Sequence, residues 1–197
     1  MKIYAFVDIH ANAACAEKVV KRSRDADILL CAGDLSDFTQ GLNKMARILS
    51  KAKKPMLMIH GNHESSVDVD NLARKYKYIA NVHHKIYRVN GVVIAGFGGG
   101  GFSFEDKRME RFFRKAKNEI QETDKVVMVT HAPAYGKNVD YIRGTGHRGC
   151  VSVNKGIKLL KPVYSVAGHL HETAGKIDHA GKTTIINPGR NGRMLEI

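Results

Sequence analysis

No stretch of this chain approaches the roughly 18–20 consecutive apolar residues that a bilayer-spanning helix needs, so no membrane span is expected. The opening run Met1-Lys2-Ile3-Tyr4-Ala5-Phe6-Val7 starts with a basic residue, as a secretory leader would. Asp8 and His10 interrupt it too early for a leader's apolar centre, and it reads instead as the first β-strand of a cytoplasmic protein. Cysteine is scarce. Cys15, Cys31 and Cys150 are scattered and odd in number, and no Cys-x-x-Cys spacing points to zinc or redox chemistry. Cys31 falls in the run Ile28-Leu29-Leu30-Cys31-Ala32, where a thiol packs as a small hydrophobe, and this usage suits a reducing compartment. The glycine cluster Gly96-Phe97-Gly98-Gly99-Gly100-Gly101 lacks the Gly-Lys-Ser/Thr ending of a phosphate-binding loop and reads as a tight connection.

Acidic residues are also few, 19 against 32 lysines and arginines, for a formal charge of +13. That surplus permits an anionic substrate or a nucleic-acid partner without establishing one. Most of it recurs on predicted helices, as solvated faces do. Short apolar, β-branched runs at 3–7, 27–31, 55–59, 92–95, 126–130 and 163–167 are strand candidates, with helical stretches near 13–24 and 38–53 between the early ones. This βαβ alternation predicts parallel strands covered by helices. The clearest helix is 105–122, where Met109, Phe112, Phe113, Ala116 and Ile120 form one apolar stripe suited to core packing. Short segments at 174–178, 183–186 and 194–197 read as antiparallel strands closing a mixed sheet. No linker, repeat or low-complexity segment interrupts the chain, so residues 1–197 read as one domain.

The chemistry lies in where the polar residues fall. Val7 leads into Asp8-Ile9-His10, Cys31-Ala32 into Gly33-Asp34, and Ile59-His60 into Gly61-Asn62-His63-Glu64. Thr130 is followed by His131, and Val166-Ala167 by Gly168-His169-Leu170-His171. Strand after strand thus ends on residues able to bind metal, and in α/β sheets the carboxyl ends of strands line the ligand crevice. In an extended segment the spacing of Asp8 from His10, and of His169 from His171, puts each pair on one side of the chain. Imidazole, carboxylate and amide oxygen suit zinc, manganese or iron better than calcium. Asp8, His10, Asp34, Asn62, His131, His169 and His171 exceed what one tetrahedral ion needs and fit two ions sharing a carboxylate. Two ions about 3.5–4 Å apart can bind a phosphoryl oxygen and hold hydroxide for in-line attack.

In this order, Asp-x-His, Gly-Asp, Gly-Asn-His-Glu, His and Gly-His-x-His resemble the calcineurin-like metallophosphoesterase family. Thr130-His131-Ala132-Pro133 followed by Gly146-His147-Arg148-Gly149-Cys150 is similar to its small stand-alone phosphodiesterase branch. The resemblance implies an α/β fold of two mixed β-sheets sandwiched between helices, in a single metallophosphoesterase domain. It also implies two divalent transition-metal ions (Mn, Fe, Zn or Ni). Asp8, His10 and His171 would bind one, Asn62, His131 and His169 the other, with Asp34 bridging. His63 is similar to the family histidine that contacts phosphate and protonates the leaving oxygen. Phosphoprotein phosphatases carry an Arg shortly after the Gly-Asp pair, whereas Gly33-Asp34 is followed here by Leu35-Ser36-Asp37-Phe38. The expected substrate is therefore a small phosphodiester; a nuclease or phosphomonoesterase using the same site, or a non-catalytic scaffold, are the alternatives. Family nucleases that cut duplex DNA usually carry an added DNA-binding domain, for which 197 residues leave no room. Of the other histidines, His60 is expected to pack near the site, His83, His84 and His179 to lie at the surface, and His147 beside Arg148 to help shape a pocket.

Overall fold

The architecture follows from strict alternation in the strands. In the computed structural model, which describes residues 1–197, β1 (Lys2–Phe6) buries Ile3 and Ala5 on one face and Tyr4 and Phe6 on the other. Side chains two apart share a face, so a strand buried on both sides must lie between two layers. The first sheet continues with β2 (Ile28–Cys31), β3 (Met56–Met58) and β4 (Ile79–Asn81), all parallel. Helices α1 (Ala13–Arg22), α2 (Leu42–Leu49) and α3 (Ser66–Lys75) connect these strands and cover the outer face. Val19, Met45, Leu49 and Val69 meet Phe6, Leu29, Cys31 and Met58 there.

The second sheet takes β5 (Lys85–Val89), β6 (Val92–Phe97) and β7 (Lys125–Thr130). A small separate hairpin, β8 (Tyr141–Ile142) and β9 (Gly146–His147), precedes β10 (Tyr164–Val166), β11 (Ile177–Ala180) and β12 (Thr183–Ile186), which complete the second sheet in the order β11-β12-β10-β7-β6-β5. Helices α4 (Lys107–Glu119) and α5 (Val151–Leu160) cover its outer face. Between the two sheets Ile3, Leu30, Leu57, Ile94, Val127, Val129 and Val166 form an apolar layer common to both. The result is two mixed sheets between helices, as expected.

The expected α4 stripe is buried throughout, Met109 through Ile120, and Asp106 caps the helix by accepting the Arg108 and Met109 amides. The last strand, β13 (Arg193–Glu196), corrects one expectation. It does not close the sheet formed by its two predecessors but pairs antiparallel with β1 in the other sheet, order β13-β1-β2-β3-β4. The predicted helix at 38–53 also shortens to α2 and a following 3-10 turn, because Phe38, Thr39 and Gly41 adopt left-handed backbone conformations that no helix can contain. Strands β4 and β5, the β8–β9 hairpin and helices α3 and α5 lie outside the elements the sequence marked. For α3 a signal exists: Ser65 and Asp68 form a reciprocal capping box.

Candidate metal centre

The carboxyl ends of strands from both sheets meet at one edge of the sandwich. Loops after β1, β2 and β3 bring Asp8, His10, Asp34, Asn62 and His63, and loops after β7 and β10 bring His131, His169 and His171. All seven sequence-predicted ligands come together. Asp8, His10 and His171 form one group and Asp34, His131 and His169 another, with the ligand atoms of each within 4.8 Å of one another. Asn62 joins the second group: its amide oxygen lies 2.9 Å from His131 Nε2 and 2.8 Å from His169 Nδ1. Asp34 Oδ2 stands between the groups, 3.3 Å from His131 Nε2 and 3.8 Å from His10 Nε2.

The means of convergence differs from the extended geometry expected. Asp8 and His10 lie beyond the end of β1 with φ of 57° and 46°, and Asp34 and His169 have φ of 50° and 67°. Left-handed geometry is uncommon for such residues and persists where surrounding contacts impose it. The contacts are visible. Asp8 N–H donates to the Gly33 carbonyl and His10 N–H to the Asp34 carbonyl, while Asp34 Oδ1 accepts the Asn62 and His63 amides at 2.8 and 2.9 Å. Gly61 is required by this closeness, since a Cβ there would lie 2.0 Å from Asp34 Oδ1.

Glu64, to which the sequence reading gave no role, ties the loops together. Its buried carboxylate accepts the Asp34 and Gly61 amides on Oε2 and both the amide and hydroxyl of Ser36 on Oε1. Burial pushes its pKa up, and those hydrogen bonds partly offset the rise. The one available signal was its place as the last residue of Gly61-Asn62-His63-Glu64.

His131 is fully buried, and its Nδ1 lies 2.9 Å from the Ala32 carbonyl. A carbonyl only accepts, so Nδ1 carries the proton and a neutral ring presents a bare lone pair at Nε2. That lone pair faces two further acceptors, Asn62 Oδ1 and Asp34 Oδ2. Three electron-rich atoms around one point repel one another unless a cation or a proton lies among them. This donor set fits a divalent transition metal. Without metal, burial opposes charge on both partners, yet the His131–Asp34 interaction prevails, holding Asp34 well below the usual carboxylate range and raising His131. Asp8 moves the other way, its pKa raised chiefly by burial. Burial lowers His10 and His169 to about 4, so both are neutral and ready to ligate near pH 7.

His63 falls in a third group, with His10 and the exposed Asp37, rather than in either of the two above. Its Nε2 points toward Asp34 Oδ2 at 4.0 Å, and its Nδ1 has both the Phe38 amide and the Asp37 carboxylate at 3.2 Å. The amide bonds Nδ1 when that atom is bare, the carboxylate when it is protonated. The exposed Arg190 adds positive charge on the His10 side of the site, a contribution that the motifs did not signal.

The histidines outside the cluster separate. His60 packs against Gly98 and Gly99 and edge-on to His83, near the site as expected. His83 is half-buried rather than superficial, because its Nδ1 accepts the Gly98 amide. His84 and His179 are exposed. His147 donates from Nδ1 to the fully buried Asp140 at 2.7 Å, and Arg148 bonds the Thr145 carbonyl, so both hold their own loop. The glycine cluster passes directly over the site, where a Cβ on Gly101 would lie 2.7 Å from the His169 ring.

A family model described as calcineurin-like phosphoesterase matches residues 1–173. The chain belongs to the calcineurin-like phosphoesterase family. This superfamily uses divalent metal ions, in keeping with the Asp and His groups above. An uncharacterized protein of Methanocaldococcus jannaschii is 25% identical over 198 residues, covering 95% of this chain and 88% of that one. A UPF0046 protein of Caenorhabditis elegans is 28% identical, covering 88% of this chain and 66% of its own length. Among solved structures, a protein of Thermus thermophilus shares the fold with a TM-score of 0.73 at 20% identity, covering 95% of this chain and 88% of that one. A dimetal phosphatase from Danio rerio does so with a TM-score of 0.61 at 11% identity, over 94% and 86%. No helix of this calcineurin-like protein is long and apolar enough to cross a membrane.

Proposed function

We propose that the chain hydrolyses phosphodiesters with two divalent transition-metal ions. The observation that carries this reading is the convergence of metal-binding atoms: Asp34 Oδ2 beside His131 Nε2 and His10 Nε2, with Asn62 Oδ1 between His131 and His169. Asp8, His10 and His171 would hold one ion, Asn62, His131 and His169 the other, and Asp34 would serve both. Such ions supply positive charge for a phosphoryl oxygen and acidify water. The protein's own groups do the rest. Ala32 fixes the His131 tautomer, and the carboxylates of Asp8 and Asp34 balance positive charge. His63 holds a proton at Nε2, on the Asp34 side of its ring, for delivery to the departing oxygen.

Preference for diesters rests on the run Leu35-Ser36-Asp37-Phe38, which supplies no arginine after Gly33-Asp34 to take the extra charge of a monoester. A second reading, monoester hydrolysis, draws on Arg190 near His10. Metal analysis of the purified protein, with rates on a panel of diesters and monoesters, tests both. Hydrolysis indifferent to exhaustive chelation would exclude the two-metal reading. A specificity constant tenfold higher for monoesters than diesters would favour the second.

A further inference from the structure

Two exposed phenylalanines stand against the cluster. Phe38 is 68% exposed and lies over His63, ring centroids 4.1 Å apart and 35° from parallel. Phe102 is 79% exposed and meets His169 edge-on at 4.6 Å. They mark opposite ends, for His63 adjoins His10 in one ligand group and His169 adjoins His131 in the other.

Phe38 is the more constrained. Its φ is 46° and that of Thr39 is 69°, a conformation for which a bulky and a β-branched residue are poorly suited. Reciprocal Asp37–Gln40 backbone hydrogen bonds close this two-residue turn, and it is held against the site by Phe38 N–H donating to His63 Nδ1 and by Thr39 N–H bonding the His63 carbonyl and Ser36 Oγ. A large apolar ring is thereby kept in water beside the proposed proton donor, where neither core packing nor turn chemistry calls for one. Backbone strain clusters at active sites and ligand clamps.

Resting on the two-metal reading, we infer that Phe38 is a stacking platform for the base of a nucleoside attached to the scissile phosphate, so that the substrate class is nucleotide phosphodiesters. The phosphate would sit at the Asp34 side of His63 and the ribose would run outward along that imidazole. The base would then lie on the outer face of Phe38. A phenyl ring takes any of the bases, since each has a π face, so the platform selects a base without reading which one. An aliphatic arm would gain only its smaller contact area.

The test compares binding of adenosine 5′-monophosphate, ribose 5-phosphate and inorganic phosphate to the metal-loaded protein by calorimetry. Wild type should bind the nucleotide roughly 5- to 150-fold more tightly than ribose 5-phosphate, the equivalent of about 1–3 kcal/mol for one base–aromatic stack. Phe38→Leu should erase that advantage while leaving phosphate affinity and metal content unchanged, and Phe38→Tyr should keep it. No advantage in wild type, an advantage that survives Phe38→Leu, or equal losses for all three probes would overturn the inference. So would a dimer in sedimentation that Phe38→Leu dissociates, because a second copy would then cover the ring. If stacking is found but no diester is hydrolysed, the proposed reaction falls and the platform stands.

Discussion

The buried carboxylate of Glu64 accepts the backbone N–H of Asp34 at 3.1 Å and, through the same oxygen, that of Gly61 at 3.3 Å. One side chain thus fixes the loop after β2 against the loop after β3, and with them Asp34 and Asn62. Glu64→Ala would leave these amides and that of Ser36 buried without acceptors, a loss of about 3 kcal/mol or more. The urea midpoint should drop and metal affinity should weaken with it. An unchanged midpoint would show that water replaces the carboxylate at no cost.

Asp34→Asn keeps the shape of the central ligand but removes the negative charge shared by both groups of donors. The variant should fold, since its Oδ1 can still accept the Asn62 and His63 amides. It should retain fewer metal equivalents than wild type and lose most activity. Elemental analysis beside rate measurement decides this, and full metal content in the variant would remove Asp34 from its bridging position.

His63 separates proton transfer from metal binding. His63 lies outside the two groups of proposed ligands, its Nε2 4.0 Å from Asp34 Oδ2, so His63→Ala should keep its metal. General-acid catalysis is worth about 10²–10⁴ in rate, and an alkoxide needs that proton far more than nitrophenolate does. The variant should lose much more on nucleoside or alkyl diesters than on nitrophenyl diesters. Equal losses would make His63 a phosphate-positioning residue.

In the metal-free protein, burial lowers His10, His60, His83 and His169 to about 4 from an unfolded value near 6.5. Between those values the unfolded chain binds more protons than the folded one, so stability rises with pH across that window. It is complete above about pH 6.5 and is lost as pH falls toward 4. Urea titrations of the metal-free protein should follow this slope. His83→Phe should flatten it by at most one proton while sparing the ligands, and an unaltered slope would mean that His83 titrates normally.

Much of the site was legible because each motif is local and follows an apolar strand. Asp8-x-His10, Gly33-Asp34, Gly61-Asn62-His63-Glu64, His131 and Gly168-His169-x-His171 mark five strand ends, and parallel strands carry their carboxyl ends to one edge. The α4 stripe from Met109 to Ile120 was equally plain, since helical spacing is a property of the sequence alone.

What chain order could not express was decided in space. The ligands of one centre come from two sheets, and the apolar layer that joins those sheets, Leu30 and Ile59 against Val127 and Val166, is made of contacts between distant segments. The left-handed backbone of Asp8, His10, Asp34 and His169 has no sequence signal, because those residues favour other conformations and only the surrounding hydrogen bonds hold them there. For the same reason Glu64 reads as an ordinary acid, and Phe38 as an ordinary apolar residue, until the fold buries the one under Asp34 and leaves the other in water beside His63. The sequence by itself determined which candidate donor atoms follow the strands. The tertiary structure decided their distances, because a ligand atom's position is set by strained loops and by packing between sheets, not by its neighbours along the chain.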